Sequence, residues 1–521
     1  MRLGIDVGGT NTDAVLVEGR TVLASAKRPT TADVSTGIVN ATRAVLEAAG
    51  EGAAAVDSVM IGTTHFANAL VERKGLLEVG VLRLAGSAGR ALPPMTGWPD
   101  DLRRILGALT FQLPGGYEFD GREIAAFDES AVRHAAHKLR VAGVESVAIS
   151  CVFAPINRAM EERAAEIVRA EIPGVAVTVS SALGRIGFLE RENATIMNAA
   201  LARVARHVMT SFVTAFADMG VRAPIYVSQN DGTLISAAAA ARYPVLTIGS
   251  GPTNSMRGAA FLTGLEDAIV MDVGGTTTDI GALVNGFPRE SSIAVDIGGV
   301  RTNFRMPDIL SVGLGGGTRI HLDSAGKVRA VGPDSVGFRL LQEAYVFGGS
   351  TLTASDVAVK AGLANFGDAS KAPDLPASVV NDVLARFRRT FEEGVDRMKT
   401  AAADVPVVLV GGGSILVPHE LKGSTRAIRP EHASVANAVG AAIAQVGAEV
   451  DRIVAYEKQG RAQVLQSIER EAADRAIAAG ADPRTVRLVD VEEIFLSYLP
   501  GNTAQLRAKV VGDLMESSCA R

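Results

Sequence analysis

The string DVGGTNTD at residues 6–13 returns as DVGGTTTD at residues 272–279, with seven of the eight positions unchanged and a constant offset of 266 residues. A repeat of this specificity limits the chain to architectures built from two related halves, each presenting the same strand, turn and strand. The flanks agree with that reading. Around the first copy, LGIDV, DAVLV and TVLASAK alternate in hydropathy and are separated by Gly8-Gly9 and Glu18-Gly19, which is the pattern of a β-meander. A second meander starts at Ala268. The chain has 521 residues, 47% hydrophobic and 21% charged, enough for several globular domains at roughly 100–200 residues each.

Strand and helix patterns alternate between the meanders. Helical periodicity runs through residues 35–50, opened by Ser35 as a cap and closed by Gly50, and VDSVMIG then reads as a strand. ESAVRHAAHKLRVAG and RAMEERAAEIVRAEI read as helices, SVAISCVF and VAVTVSS as strands, and one long helix covers FLERENATIMNAALARVARHVMTSFVTAFADMG. After the second meander come a helix in VVNDVLARFRRTFEEGVDRMK, a strand in VPVVLV and an Ala-rich helix in HASVANAVGAAIAQVGA. This alternation predicts an α/β layer architecture. A first domain is expected over residues 1–190, a second over 191–450, and a small α+β appendage over 451–521 that suits oligomer contact or hinge support.

Several function classes are disfavoured. Net charge is −5 with Lys and Arg dispersed, so no basic stripe is present for a nucleic-acid backbone. The chain enters a strand pattern without a charged n-region and apolar h-region, and no uninterrupted apolar run reaches about 18 residues. The expected location is cytoplasmic, with no membrane partner. Cys151, inside an apolar run, and Cys519, near the end, cannot form a disulfide framework or a thiolate metal site. His134 and His137 lack a third ligand and read as surface residues.

The repeat itself suggests a chemistry. Its glycines permit positive φ at the turn and carry no Cβ that would hold a bulky anion away. Amide N–H groups can then converge on a phosphate, with Thr10 and Thr12, and their counterparts Thr276 and Thr278, adding hydroxyl donors. Asp6 and Asp272, each at a strand end, cannot accept a bond from phosphate and are better placed to hold hydrated Mg²⁺ or another divalent cation. Asp13 and Asp279 either assist there or bond the backbone of their own turn. One such hairpin is compatible with a tight structural turn, but two can close on β- and γ-phosphates from opposite sides. In a third motif, VVLVGGGSIL, a strand runs into Gly411, Gly412, Gly413 and Ser414, where a flat adenine or a ribose can approach the backbone.

In this order the three motifs resemble the sugar-kinase/actin superfamily of ATP-binding proteins, and more closely a short form of the A-type subunit of the hydantoinase/oxoprolinase family. The segments that carry the closer resemblance are Gly62-Thr63-Thr64 with Asn68-Ala69-Leu70 in GTTHFANALVERKG, Ser250-Gly251-Pro252 in GSGPTNSMRGAA, SVGLGGGTRI at 311–320, VGPDSVG at 331–337 and LTASDVAVKAG. They span most of residues 1–450. Larger members carry a histidine before the GTT segment, where this chain has Ile61, and here the histidine is His65.

The resemblance implies duplicated actin-like domains with a cleft between them, and ATP and a divalent cation as cofactors. The implied activity is ring opening of a cyclic amide or imide, such as a hydantoin or a 5-oxoproline-like lactam, through phosphorylation of the carbonyl oxygen. Asp6, Asp272, Asp279 and His65 would be catalytic, with Asp6 and Asp272 also at the metal. Gly8, Gly9, Thr10, Thr12, Gly274, Gly275, Thr276, Thr278, Ser250, Gly251 and the Gly411–Ser414 run would hold nucleotide. Thr63, Thr64 and Asn68 would face the substrate, although Thr63 or Thr64 equally suits a helix cap and His65 a structural histidine. A separate partner subunit and an oligomer are also implied. Two other classes fit the scaffold: a small-molecule kinase, which would release a stable phosphorylated product, and an ATPase acting as a switch on a partner protein, for which the GTT segment has no obvious use.

Overall fold

The computed structural model describes residues 1–515 except 32, 34, 108, 184–185, 292–294, 305, 458–459, 498 and 500. Both repeats form the hairpins that their alternation dictates. Strand Arg2–Val7 pairs antiparallel with Asn11–Glu18, setting Asp6 opposite Asp13, and Ala268–Val273 pairs with Thr278–Val284, setting Asp272 opposite Asp279. The registers match residue for residue, so the duplication holds in space as well as in sequence.

Each hairpin belongs to its own sheet. The first sheet has nine strands, with Arg2–Val7 flanked by Asn11–Glu18 on one side and by Ser58–Thr63 on the other. Beyond Ser58–Thr63 follow Ile225–Ser228, Thr233–Ser236, Gln445–Ala455, Thr503–Gly512 and Arg487–Phe495. In the second sheet Ala268–Val273 lies between Thr278–Val284 and the parallel strand Val405–Val410. Period-two alternation gives this sheet two apolar faces: Ile269, Met271 and Val273 pack with Phe387 and Phe391 of helix Ala377–Met398, while Ala268 and Val270 pack with Met256 and Ala259 of helix Ser250–Thr263. A third, four-stranded parallel sheet of Thr110–Leu113, Val79–Leu84, Ser146–Cys151 and Ala176–Val179 is inserted in the first lobe.

The units divide differently from the expected 1–190, 191–450 and 451–521. A boundary at 190 would cut helix Phe188–Asp218, whose Ile196, Met197, Phe212 and Phe216 are core residues of the first lobe. The segment after 450 is α+β but no appendage. Its Thr503–Gly512 strand pairs with Gln445–Ala455 over ten residues, and helix Arg461–Ala478 covers that end with Val464, Ile468 and Ala472. The Ala-rich helix is also shorter than expected, at Ala436–Ala442. Local alanine propensity loses to a ladder on both sides of Gln445–Ala455, parallel to Thr233–Ser236 and antiparallel to Thr503–Gly512.

Two helices lie between the lobes. Ser250–Thr263 backs the second sheet, and Ala436–Ala442 backs the first through Ala438, Val439 and Ala442 against Val15 and Val17. They cross backbone to backbone, because a Cβ on Gly258 would collide with the Ala436 carbonyl and one on Gly440 with that of Asn254. Smaller differences are local. Ser35 precedes helix Thr36–Ala49 without capping it; the Thr36 amide donates to Asp33 Oδ2 at 2.8 Å instead. Cys151 is buried, His134 and His137 are exposed, and Cys519 falls outside the described residues. Among the described residues no helix is long and apolar enough to cross a membrane.

Candidate active site

The hairpins end over one acidic floor. Strand Ser58–Thr63 sets Gly62 beside Asp6, and a Cβ on Gly62 would lie 2.7 Å from Asp6 Oδ1 and 2.5 Å from Asn254 Nδ2. The glycine thus lets both polar side chains approach one point. On the other lobe Val410 is the parallel neighbour of Asp272, and a Cβ on the following Gly411 would collide with Asp272 Oδ1. The helix Ser250–Thr263 joins the two sides. Its Asn254 sits by Asp6, and the next residue, Ser255, donates from Oγ to Asp272 Oδ2 at 2.7 Å. From the second bridging helix, Asn437 Nδ2 donates to Asp6 Oδ2 at 3.4 Å. Asp6 Oδ1 and both amide atoms of Asn254 are buried without a partner.

Burial strips a carboxylate of hydration, and neighbouring negative charge adds to the cost. Desolvation first, then Asp13 and Asp272, push the Asp6 carboxyl from 3.8 up to about 7, against the Asn437 hydrogen bond and the Lys27 charge. Desolvation also raises Asp272 to about 6, with Asp279 and Asp13 adding and Ser255 and Lys27 opposing. Each of these two acids therefore feels charge from the other lobe, as expected of groups sharing a cleft. Asp13 and Asp279 are likewise raised by burial. Neither bonds its own turn: Asp13 Oδ1 pairs with Lys27 Nζ at 2.6 Å, and Asp279 Oδ1 accepts from Ser311 Oγ at 2.5 Å.

This floor fits a hydrated cation better than a closed metal cage. Among the described residues no group of three or more His, Cys, Asp or Glu side chains is arranged to hold a metal. One carboxylate from each lobe and the unpartnered Asn254 form an open oxygen donor set, which suits Mg²⁺ that keeps waters and takes phosphate oxygens.

The hairpin tips face solvent at Gly9, Thr10, Gly275 and Thr276. Positive φ is not what their glycines supply, since none of Gly8, Gly9, Gly274 and Gly275 is in the left-handed region. They supply space: no atom lies within 4 Å of a Cβ built on Gly9 or Gly275. Gly8 N closes its turn onto Asn11 O at 3.0 Å and Gly274 N onto Thr277 O at 2.9 Å, while the amides of Gly9, Thr10, Gly275 and Thr276 have no acceptor among the described residues. Those four N–H groups are free for an anion. Thr12 and Thr278 are turned inward instead. Thr12 Oγ1 is 3.2 Å from Thr30 Oγ1, and Thr278 Oγ1 donates to Leu314 O at 2.6 Å, so both hydroxyls brace the hairpins.

The remaining motifs surround this centre. Ser250 and Gly251 open the bridging helix, with Ser250 Oγ buried and unpartnered. Gly413 N donates to Val273 O at 2.8 Å, Ser414 is buried and Gly412 is exposed with open space around it, as a flat ligand would need. Thr64 heads the short helix His65–Val71 without capping it, and its Oγ1 donates to Val7 O at 3.2 Å. Thr63 is buried and bonds His65 Nδ1 at 2.7 Å; the His65 ring packs against Phe212, and burial followed by the His207 charge lowers its pKa. His65 is half-buried, with Thr63 and Phe212 fixing its ring. Asn68 is exposed, 3.4 Å from Thr64 Oγ1. Sequence reasoning passed over Asn254, Ser255, Asn437 and Lys27. The available signal was polarity in the wrong place: Asn254 and Asn437 interrupt runs of small residues in TNSMRGAA and SVANAVGAA.

Models of the hydantoinase/oxoprolinase N-terminal region and of hydantoinase/oxoprolinase match residues 2–172 and 191–374. The caprolactamase subunit alpha of Pseudomonas jessenii is 30% identical over 375 residues, covering 68% of this chain and 53% of that protein. The acetophenone carboxylase gamma subunit of Aromatoleum aromaticum is 28% identical over 395 residues, covering 70% and 53%. The chain thus spans about half the length of these curated relatives. The crystal structure of the ATP-dependent caprolactamase from Pseudomonas jessenii superposes with a TM-score of 0.76 at 20% identity, covering 99% of this chain and 88% of that one, and shows the shared fold. With its duplicated α/β architecture, the chain belongs to the hydantoinase/oxoprolinase family.

Proposed function

We propose that this protein uses ATP to phosphorylate the carbonyl oxygen of a cyclic amide or imide and so opens the ring. The observation that carries the proposal is the meeting of Asp6 and Asp272, one from each repeat, beneath two tips with free amides. The amides of Gly9, Thr10, Gly275 and Thr276 would grip phosphate from the two lobes, and Gly411, Gly412 and Gly413 would lie along the adenosine. Asp6 and Asp272, oriented by Asn437 and Ser255, would hold the cation. When bound, the cation would neutralise phosphate charge. Because burial keeps both acids near neutrality in their pKa, loading the site should release protons.

The carbonyl oxygen would attack the γ-phosphorus, ADP would leave and the ring nitrogen would lose its proton. Water would then add to the activated carbon, the C–N bond would break, and a second water would hydrolyse the acyl phosphate to carboxylate and phosphate. An amide is resonance-stabilised, which makes ATP a reasonable reagent for opening it. The relatives support a carbonyl substrate, since caprolactam and acetophenone, the compounds in their names, both contain a carbonyl group. Both relatives are named as subunits, so a partner chain belongs to the proposal. The test is phosphate release from ATP with hydantoins, unsubstituted lactams and 5-oxoproline, with and without a candidate partner. Stimulation by a ring class is expected; nucleotide binding with no stimulation by any ring and partner would overturn the reading.

A further inference from the structure

The segment between strands Phe287–Pro288 and Ile309–Val312 starts and finishes in the second sheet, since both strands pair with Thr278–Val284. Its root is closed there: Arg289 pairs with Asp308 at 2.7 Å, and Ser291 N donates to Met306 O at 2.9 Å. Its hairpin, Val295–Ile297 with Val300–Thr302, is nevertheless packed into the other lobe. Ile297, Val300 and Phe304 share one core with Leu70, Trp98 and Met197 of the first lobe. Asn193 Nδ2 donates to Arg301 O at 2.8 Å while its Oδ1 accepts from Trp98 Nε1 at 2.9 Å, and Arg301 pairs with Glu190 at 3.3 Å. The second lobe therefore reaches across and inserts a hairpin into the first.

The tip of this hairpin meets the end of helix His65–Val71. Gly298 and Gly299 have φ of 60° and 87°, as a two-residue hairpin turn requires. Neither has room for a side chain: a Cβ on Gly298 would lie 2.9 Å from Arg73 Nη1, and one on Gly299 2.5 Å from Pro99 Cγ. Arg73 is the link. Its Nη2 donates to Gly298 O at 2.7 Å, its Nη1 to Leu70 O, and its Nε to Asp101 Oδ2 at 3.1 Å. Leu70 O is one of the carbonyls that a helix C-terminus leaves without an intrahelical donor. One guanidinium thus joins that helix end to the hairpin of the second lobe. It does so from φ 58°, the left-handed position past a helix where glycine is usual. A side chain is strained there, and this one makes three hydrogen bonds in return. The other end of the helix touches the phosphate side, because Thr64 Oγ1 donates to Val7 O at the root of the first hairpin.

We infer that the hairpin Val295–Thr302 is a coupling strap, and that Arg73 is the positioning residue through which the second lobe sets the helix carrying Asn68 and headed by Thr64. Nucleotide held by both tips fixes the second lobe against the first, and the strap passes that constraint to the helix, suppressing its local opening. The inference rests on the reading of the two tips as a nucleotide clamp and adds the route from the clamp to the GTT segment.

The test is amide hydrogen exchange of the full chain, read by mass spectrometry with and without Mg²⁺ and a non-hydrolysable ATP analogue. In wild type, peptides over 65–71 and 295–302 should slow by about tenfold on nucleotide binding, the scale of a hydrogen bond to a charged group, together with the tip peptides 6–13 and 272–279. Arg73→Gly removes the guanidinium and relieves the left-handed strain. It should keep the tip response, which reports an intact fold, and lose the nucleotide response at 65–71. That difference between bound and free states is what a merely structural role would leave unmoved. Arg73→Lys, which keeps the charge without the fork, should restore part of the response. A full response at 65–71 in Arg73→Gly, or tips that respond in wild type while the helix does not, would overturn the strap and leave the nucleotide clamp standing. No response at the tips in wild type would overturn the clamp, and the strap with it.

Discussion

The two hairpins carry almost the same eight residues and are held in place by different means. The first is braced mainly by side chains: Thr30 Oγ1 donates to Gly8 O at 2.8 Å and Lys27 pairs with Asp13, beside a single backbone bond from Thr30 N to Thr10 O at 2.9 Å. The second is braced by backbone. Gly316 N donates to Gly274 O at 3.0 Å, Gly317 N to Gly275 O at 2.6 Å and Gly413 N to Val273 O, so two glycine loops stack on one tip. Its acids rest on hydroxyls, Ser255 and Ser311, where the first hairpin has Lys27. Equal sequences have thus been fitted into unequal surroundings. The common part, an aspartate below a tip with free amides, is what the phosphate chemistry uses.

If that common part is the machinery, its loss should be the largest effect of all. Asp272→Ala and Asp6→Ala should each lower turnover by about 100- to 1000-fold while far-UV circular dichroism and the unfolding midpoint show an intact fold. Wild-type turnover in either variant would break the equivalence of the halves.

Stability should separate the two acids next. Asp6 has a folded-state pKa of about 7 against 3.8 unfolded, so its contribution to stability is full below the unfolded value and is lost as pH rises through about 7. Asp6→Asn, which stays neutral, should therefore match wild type near pH 4 and exceed it at pH 8 by about 2–4 kcal/mol in denaturant titrations without nucleotide. Asp272→Asn should gain less, since that carboxyl reaches only about 6 and loses its bond from Ser255 as a charged acceptor. A larger gain at Asp272 would reverse the ranking.

The bracing can be tested in the same way. Gly411 has φ 81° and no room for a Cβ beside Asp272, so Gly411→Ala should cost about 2–3 kcal/mol. A Cβ on Gly315 would lie 2.7 Å from Gly274 O, and Gly315→Ala should behave similarly. Thr30→Val, removing the bonds of the Thr30 hydroxyl to Gly8 O and Thr12 Oγ1, should cost about 1–2 kcal/mol. Equal costs would show that the two braces do not differ in kind.

How much of this was legible in the sequence follows from the same contrast. The repeat and its alternation contain the hairpins, because period-two patterning and turn glycines act locally. The partners do not appear there, because they arrive from afar: Asn437 reaches Asp6 from 431 positions away. Gly62 and Gly411 stand in recognisable motifs, yet the carboxylates they make room for can be identified only in three dimensions. Gln445–Ala455 shows the limit most clearly. Its first residues, 445–448, read as the end of the Ala-rich helix, and its strand is fixed by edges supplied by Thr233–Ser236 and Thr503–Gly512.

The smallest expected effect bears on the one asymmetry of charge. Lys27 lowers Asp6, Asp13 and Asp272 together, so its ammonium holds down acids of both lobes although it pairs with only one. Lys27→Met should leave all three harder to ionise. If turnover needs Asp6 and Asp272 ionised, the acid limb of the pH–rate profile should move to higher pH, giving about a threefold lower rate near pH 6 that disappears by about pH 8.5. A loss of the same size at every pH would mean that Lys27 only braces the hairpin. Ser311→Ala removes a neutral donor from Asp279 and provides the matched comparison, because it perturbs the corresponding acid of the second hairpin without taking a positive charge from the floor. A pH shift in that variant as large as in Lys27→Met would show that hydrogen bonding to the outer aspartates, rather than the shared cation, sets the ionisation of the floor.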